Sequence, residues 1–66
     1  MIIKLNGENY EIPYICSIEE LLIKLNIAKN GVAVEVNLNI IKKISYNTFM
    51  LNEGDSVEIV NFVGGG

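Results

Sequence analysis

The residues best placed to do chemistry are the last five, Phe62-Val63-Gly64-Gly65-Gly66. Glycine has no side chain to bury and the most backbone entropy to lose on ordering. Three glycines after an apolar stretch therefore offer a slim backbone ending in a carboxylate. Fully extended, three residues reach about 10 Å past the last anchored one. No Cβ stands in that reach, so the segment suits a narrow channel in a partner. The Gly66 carboxylate is thus the predicted reactive group, with Gly64 and Gly65 as the segment that would thread such a channel. The competing reading is a frayed end or an expression scar. The glycines follow an apolar strand with no tag or linker between, which favours function.

Other chemistry is scarce. Histidine, the commonest general base and metal ligand, is absent. Arginine is absent too, which removes a bidentate phosphate clamp. One cysteine, Cys16, allows no intramolecular disulfide and no thiolate metal site, and suits a reducing cytoplasm. Cys16 at a helix start invites a nucleophile reading. No base accompanies it, so a packed position before the helix is the better reading. These absences predict a protein that is not an enzyme, with no catalytic residues, no cofactor and no metal of its own.

The chain has 66 residues and a net charge of −3, with eight acidic residues against five lysines. That length predicts a single domain near the lower size at which one core holds. The lysines are scattered, so no nucleic-acid footprint is expected. No apolar run is long enough to span a bilayer and no signal peptide is evident, so no membrane partner is expected.

The elements that must position the glycines follow from periodicity. Ile2 to Asn6 alternates, with Ile3 and Leu5 on one face, and Asn6-Gly7 is a strong hairpin turn. A second strand runs through Ile12, and Pro13, which lacks an N–H, should end it or sit on its edge. Ser17 and Glu20 have capping-box spacing, with Cys16 and Leu21 placed as a hydrophobic staple. Ile18, Leu21, Leu22 and Leu25 form one helical stripe, and the helix is expected to end near Asn26. Asn30-Gly31 turns the chain into Val32–Asn37, another alternating strand. Asn37-Leu38-Asn39 reads as a turn and Ile40–Lys42 as an edge strand guarded by Lys42 and Lys43. Ile44–Leu51 reads as irregular, with Tyr46, Phe49 and Leu51 covering the open end of the core. A turn at Asn52–Asp55 precedes the last strand, Ser56–Phe62.

A hairpin, a crossing helix and a last strand returning beside the first describe an α+β fold of the β-grasp (ubiquitin-like) kind. It has a mixed sheet of four to five strands with one helix packed across one face. The expected division is a β-grasp domain over 1–63 and a flexible glycine tail over 64–66. On the last strand Val57 and Ile59 point toward the helix, and Glu58, Val60 and Phe62 point away. A sheet's open face is normally polar. Val60 and Phe62 depart from that beside the reactive end, with Ala33 on the same side. Val60, Phe62, Glu58 and Ala33 are therefore the predicted partner-docking residues.

The ending Val63-Gly64-Gly65-Gly66, the approach Glu53-Gly54-Asp55 and the stretch Val32-Ala33-Val34-Glu35-Val36-Asn37 together resemble the thiamine-pathway sulfur carrier proteins, the ThiS family. The resemblance covers the whole chain in length and element order. Departures fall at Asn39, where the family often has glycine, and at Lys42-Lys43, where it often has proline-arginine. The resemblance implies a carrier. A ThiF-like adenylating enzyme, using ATP and magnesium, would adenylate Gly66. A persulfide sulfur donor would convert it to a thiocarboxylate, and thiazole synthase would accept the sulfur. The Gly65-Gly66 pair is shared with molybdopterin-synthase small subunits and with ubiquitin-like modifiers. Those two readings and an inert-tailed β-grasp binding module are the alternatives.

Overall fold

The structure is a computed structural model that describes residues 1–62, so Val63 and the glycines 64–66 lie outside it. In order, the elements are β1 (Ile2–Leu5), β2 (Glu8–Glu11), α1 (Ile18–Lys24), β3 (Val32–Val36), β4 (Asn39–Ile41) and β5 (Ser56–Asn61). Short 3₁₀ turns occupy Lys29–Gly31 and Lys43–Ser45. The five strands form one mixed sheet in the order β2-β1-β5-β3-β4. β5 is central, parallel to β1 and antiparallel to β3. This is the β-grasp arrangement expected from the sequence.

The first hairpin turns at Asn6 and Gly7, with φ of 50° and 86°. Two successive positive φ values make a tight turn whose twist matches the flanking strands. The second hairpin turns at Asn37 and Leu38, with φ of 52° and 71°. That turn takes two residues, not the three expected, so β4 begins at Asn39 and ends at Ile41 instead of running from Ile40 to Lys42. Leu38 sits in the left-handed region that a branched side chain disfavours. Asn37 helps hold it there: its side chain donates to Asp55 Oδ1 at 3.1 Å and accepts from the Ser56 N–H at 3.0 Å.

Helix α1 starts as the capping box predicts. The Glu20 N–H donates to Ser17 Oγ at 3.1 Å, and the Ser17 N–H donates to Glu20 Oε1 at 2.8 Å. The next two orphan donors use the segment that the sequence left irregular. Ile18 N–H reaches the Phe49 carbonyl at 3.1 Å and Glu19 N–H the Tyr46 carbonyl at 2.9 Å. The segment after β4 thus closes the helix N-terminus as well as the core. Asn26, with φ of 61°, ends the helix in a left-handed cap, and the regular helix stops at Lys24, two residues short of expectation.

The core lies between α1 and one face of the sheet. Ile18, Leu21 and Leu22 are buried from the helix, and Ile3, Val34 and Val57 from the sheet. Tyr46 and Leu51 are also buried and Phe49 is half-buried, closing the open end as expected. Cys16 is buried in the same core cluster as Leu21. Among the described residues, no helix is long and apolar enough to cross a membrane.

Candidate functional site

Alternation along β5 sorts its side chains between two environments. Val57 is fully buried under α1 and Ile59 is half-buried. Glu58, Val60 and Phe62 lie on the open face, with Val60 52% and Phe62 61% exposed. Ala33 stands directly opposite Val60 on β3, and Glu35 stands opposite Glu58. The structure therefore brings all four predicted docking residues to one face of two paired strands. Phe62 lies one residue past β5, but its N–H donates to the Gly31 carbonyl at 3.2 Å, so the pairing with β3 carries on to it. Gly64, Gly65 and Gly66 lie outside the described residues.

This face has two further members, of which alternation along β3 already places Glu35 beside Ala33 while the sequence reading missed Ile40. Ile40 pairs with Glu35 across β3 and β4, so it shares the open face, and it is 71% exposed. The missing signal was register. Only once the Asn37-Leu38 turn is known to hold two residues does Ile40 fall opposite Glu35. Together these residues make an apolar rim of Phe62, Val60, Ala33 and Ile40 around two carboxylates. Glu35 and Glu58 stand opposite each other in the register of β3 and β5 and add negative charge to this face.

Cys16 does not join this face. Burial pushes its thiol up from the ordinary value, the Glu20 carboxylate pushes it further, and Lys24 offsets part of the rise. A thiol held in its protonated form is a poor nucleophile. Cys16 lines an open groove of about 280 Å³ with Ile12, Pro13, Tyr14, Glu20, Ile23 and Lys24. That groove flanks α1, across the molecule from the face of Val60. Among the described residues, no group of three or more Cys, Asp or Glu side chains is placed to hold a metal ion.

The fold and this face define a class: a β-grasp protein whose central strand leads, through an exposed apolar end, into a terminal glycine run. Residues 3–66 match the model of the ThiS family. A thiazole synthase of Paramagnetospirillum magneticum is 44% identical over 62 residues, which cover 94% of this chain and 19% of that protein. A thiazole synthase of Magnetococcus marinus is 39% identical over 66 residues, covering 100% of this chain and 20% of that protein. The chain thus spans about a fifth of the length of these two relatives. Among solved structures, the crystal structure of a thiamine biosynthesis protein (ThiS) from Geobacter metallireducens matches with a TM-score of 0.86, at 29% identity and full coverage of both chains. The chain belongs to the ThiS family.

Proposed function

We propose that this chain is the sulfur carrier for thiazole formation in thiamine biosynthesis. It would act as the substrate of partner enzymes and supply a reactive terminus and a docking face. The observation that carries the reading is the family match, which runs through the terminal glycines to Gly66. The geometry supports it, since the strand leading to those glycines is central in the sheet and ends in exposed apolar side chains. The thiazole synthases that contain a segment like this chain favour a thiazole-forming acceptor over a molybdopterin or protein acceptor.

A carboxylate is a poor electrophile, so activation must come first. A Gly66 carboxylate oxygen attacks the α-phosphorus of ATP bound with magnesium in a ThiF-like enzyme, and pyrophosphate leaves. The terminal sulfur of a persulfide then attacks the acyl carbon, and AMP leaves with the bridging oxygen. A second thiol cleaves the resulting acyl disulfide. This supplies the two electrons that release a thiocarboxylate on Gly66. Thiazole synthase consumes that sulfur. Gly64 and Gly65 present only backbone to both active sites. Val60, Phe62, Glu58 and Ala33 dock on the partner, and ATP and magnesium are the partner's to bind.

The test is intact-protein mass after incubation with the adenylating partner, ATP and a persulfide donor. The expected product gains about 16 Da at Gly66, oxygen replaced by sulfur. A chain that keeps its mass under conditions that convert another ThiS protein defeats the proposal.

A further inference from the structure

β1 supports β5 over a short distance only. The two strands pair at Lys4 with Ser56 and at Leu5 with Val57. The last main-chain bond between them runs from the Asn6 N–H to the Val57 carbonyl at 2.8 Å. The chain then turns away through the left-handed residues Asn6 and Gly7. Backbone groups alternate sides along a strand, so the N–H and carbonyl of Ile59 also face the β1 side. Among the described residues, no strand reaches them. The Asn6 side chain does. Its Oδ1 accepts from the Ile59 N–H at 2.8 Å, and its Nδ2 donates to the Ile59 carbonyl at 3.4 Å.

A carboxamide is the one short side chain that carries a donor and an acceptor on one rigid plane. It can therefore stand in for a neighbouring strand's peptide group. Asparagine also tolerates the positive φ that the turn imposes. One residue thus closes the hairpin and extends support of β5 by two residues beyond the point where β1 leaves. Past Ile59, the Gly31 carbonyl holds Phe62 from the β3 side.

We propose that Asn6 is a positioning residue for the carrier reaction. By clamping Ile59 it fixes the line along which β5 leads Phe62 and the terminal glycines toward the partner's nucleotide. The proposal rests on the sulfur-carrier reading. It assigns a role in sulfur transfer to a residue far from Gly66 in sequence and outside the docking face.

The variant that tests the clamp is Asn6→Gly, because glycine accepts the turn's positive φ and removes the carboxamide, at a cost in backbone entropy that the stability control below accounts for. Asn6→Asp keeps the acceptor for the Ile59 N–H and loses the donor. Ser17→Ala, which loosens the helix start, serves as the stability control. Two quantities are read on the full chain. One is amide hydrogen exchange at Ile59. The other is the rate of thiocarboxylate formation against carrier concentration. In Asn6→Gly, exchange at Ile59 should quicken by about tenfold, as local opening loses its hydrogen bond. The kcat should fall by about three- to tenfold, with KM changed less than twofold, because misplacing a reacting group costs turnover while β3 still holds the docking strand. Asn6→Asp should fall between glycine and wild type, and Ser17→Ala should keep the wild-type kcat. Unchanged Ile59 exchange in Asn6→Gly, an unchanged kcat, or an equal loss of kcat in Ser17→Ala overturns the proposal. A wild-type chain left unconverted sinks the carrier reading and the positioning role with it, while exchange at Ile59 still reports whether the clamp holds.

Discussion

Val57 and Val60 are the same residue on the same strand, three positions apart. Val57 is fully buried and Val60 is 52% exposed. The difference is the face each occupies. Val57 belongs to the row that meets α1, and Val60 to the row on the open face, which no helix among the described residues covers. On the covered side, apolar character stabilises the fold at about 25 cal/mol per Å² removed from water. On the open side the same character leaves Val60, Phe62 and Ile40 in contact with water. One strand therefore separates a row that holds the fold together from the row proposed to meet a partner. Changes on the two sides should have unlike consequences.

The sharpest break in that comparison lies past both faces. Deleting Gly66 should abolish thiocarboxylate formation while leaving the melting temperature unchanged. The acyl group would end one residue, about 3.5 Å, short of the nucleotide, and acyl transfer needs reacting atoms within about 3–3.5 Å. Gly65→Val should impair activation by adding bulk and stiffness to the entry segment. New mass on Cys16, or conversion of the deletion variant, would refute delivery through Gly66.

Leu22→Ala tests the covered side alone. Its side chain is 2% exposed under the helix, and its loss should cost about 2–5 kcal/mol. In a domain of this size that is a large share of total stability. The denaturant midpoint should fall, and the fraction still folded should dock normally. An unshifted midpoint would mean that the helix stripe is not the core.

Phe62→Asp and Val60→Asp test the open side alone. Calorimetry with the adenylating partner should show about a tenfold or greater loss of affinity, the size expected for an aromatic anchor at an interface. The melting temperature should stay within a degree or two of wild type. Unfolding of either variant would erase the distinction between the faces.

The smallest effect is one of pH. Burial raises the thiol of Cys16 and the phenol of Tyr46 above their ordinary values, with a backbone hydrogen bond at Val34 offsetting part of the Tyr46 shift. Both groups belong to the covered side. As pH rises, the unfolded chain loses these protons first. Stability is therefore fully present below about pH 8.5, declines as the unfolded thiol ionises, and declines again near pH 10 for the phenol. Melting temperature should fall between about pH 8.5 and pH 10.5, and Cys16→Ala should remove the first part of the fall. A flat profile would place both side chains in contact with water.

Much of this was legible in the sequence. The helix stripe, the capping box, the Asn6-Gly7 hairpin and the two faces of the last strand each follow from local spacing, and local spacing is what a sequence displays. The turn at Asn37-Leu38 was misjudged by one residue because leucine is a poor residue for a positive φ. What fixes it there is distant, in Asp55 and Ser56. Ile40 was missed for the same reason, since its face depends on that turn. The carbonyls of Tyr46 and Phe49 at the helix start, and the carboxamide of Asn6 on Ile59, are long-range pairings that no window of neighbouring residues contains.

The parallel pairing of β1 with β5 has a kinetic consequence. Remove β5 from the order β2-β1-β5-β3-β4 and two separate hairpins remain, β1 with β2 and β3 with β4. Each can form early, because its contacts are close in sequence. Joining them must wait for a strand from the far end of the chain, and closing so long a loop is the slow entropic step. Hydrogen bonding between Lys4 and Asp55 should thus appear late in refolding, after the hairpins and the helix have formed. The open face that β5 shares with β3 likewise forms only when β5 joins the sheet. A molecule that has not completed its sheet has no face of Val60 and Phe62 to offer.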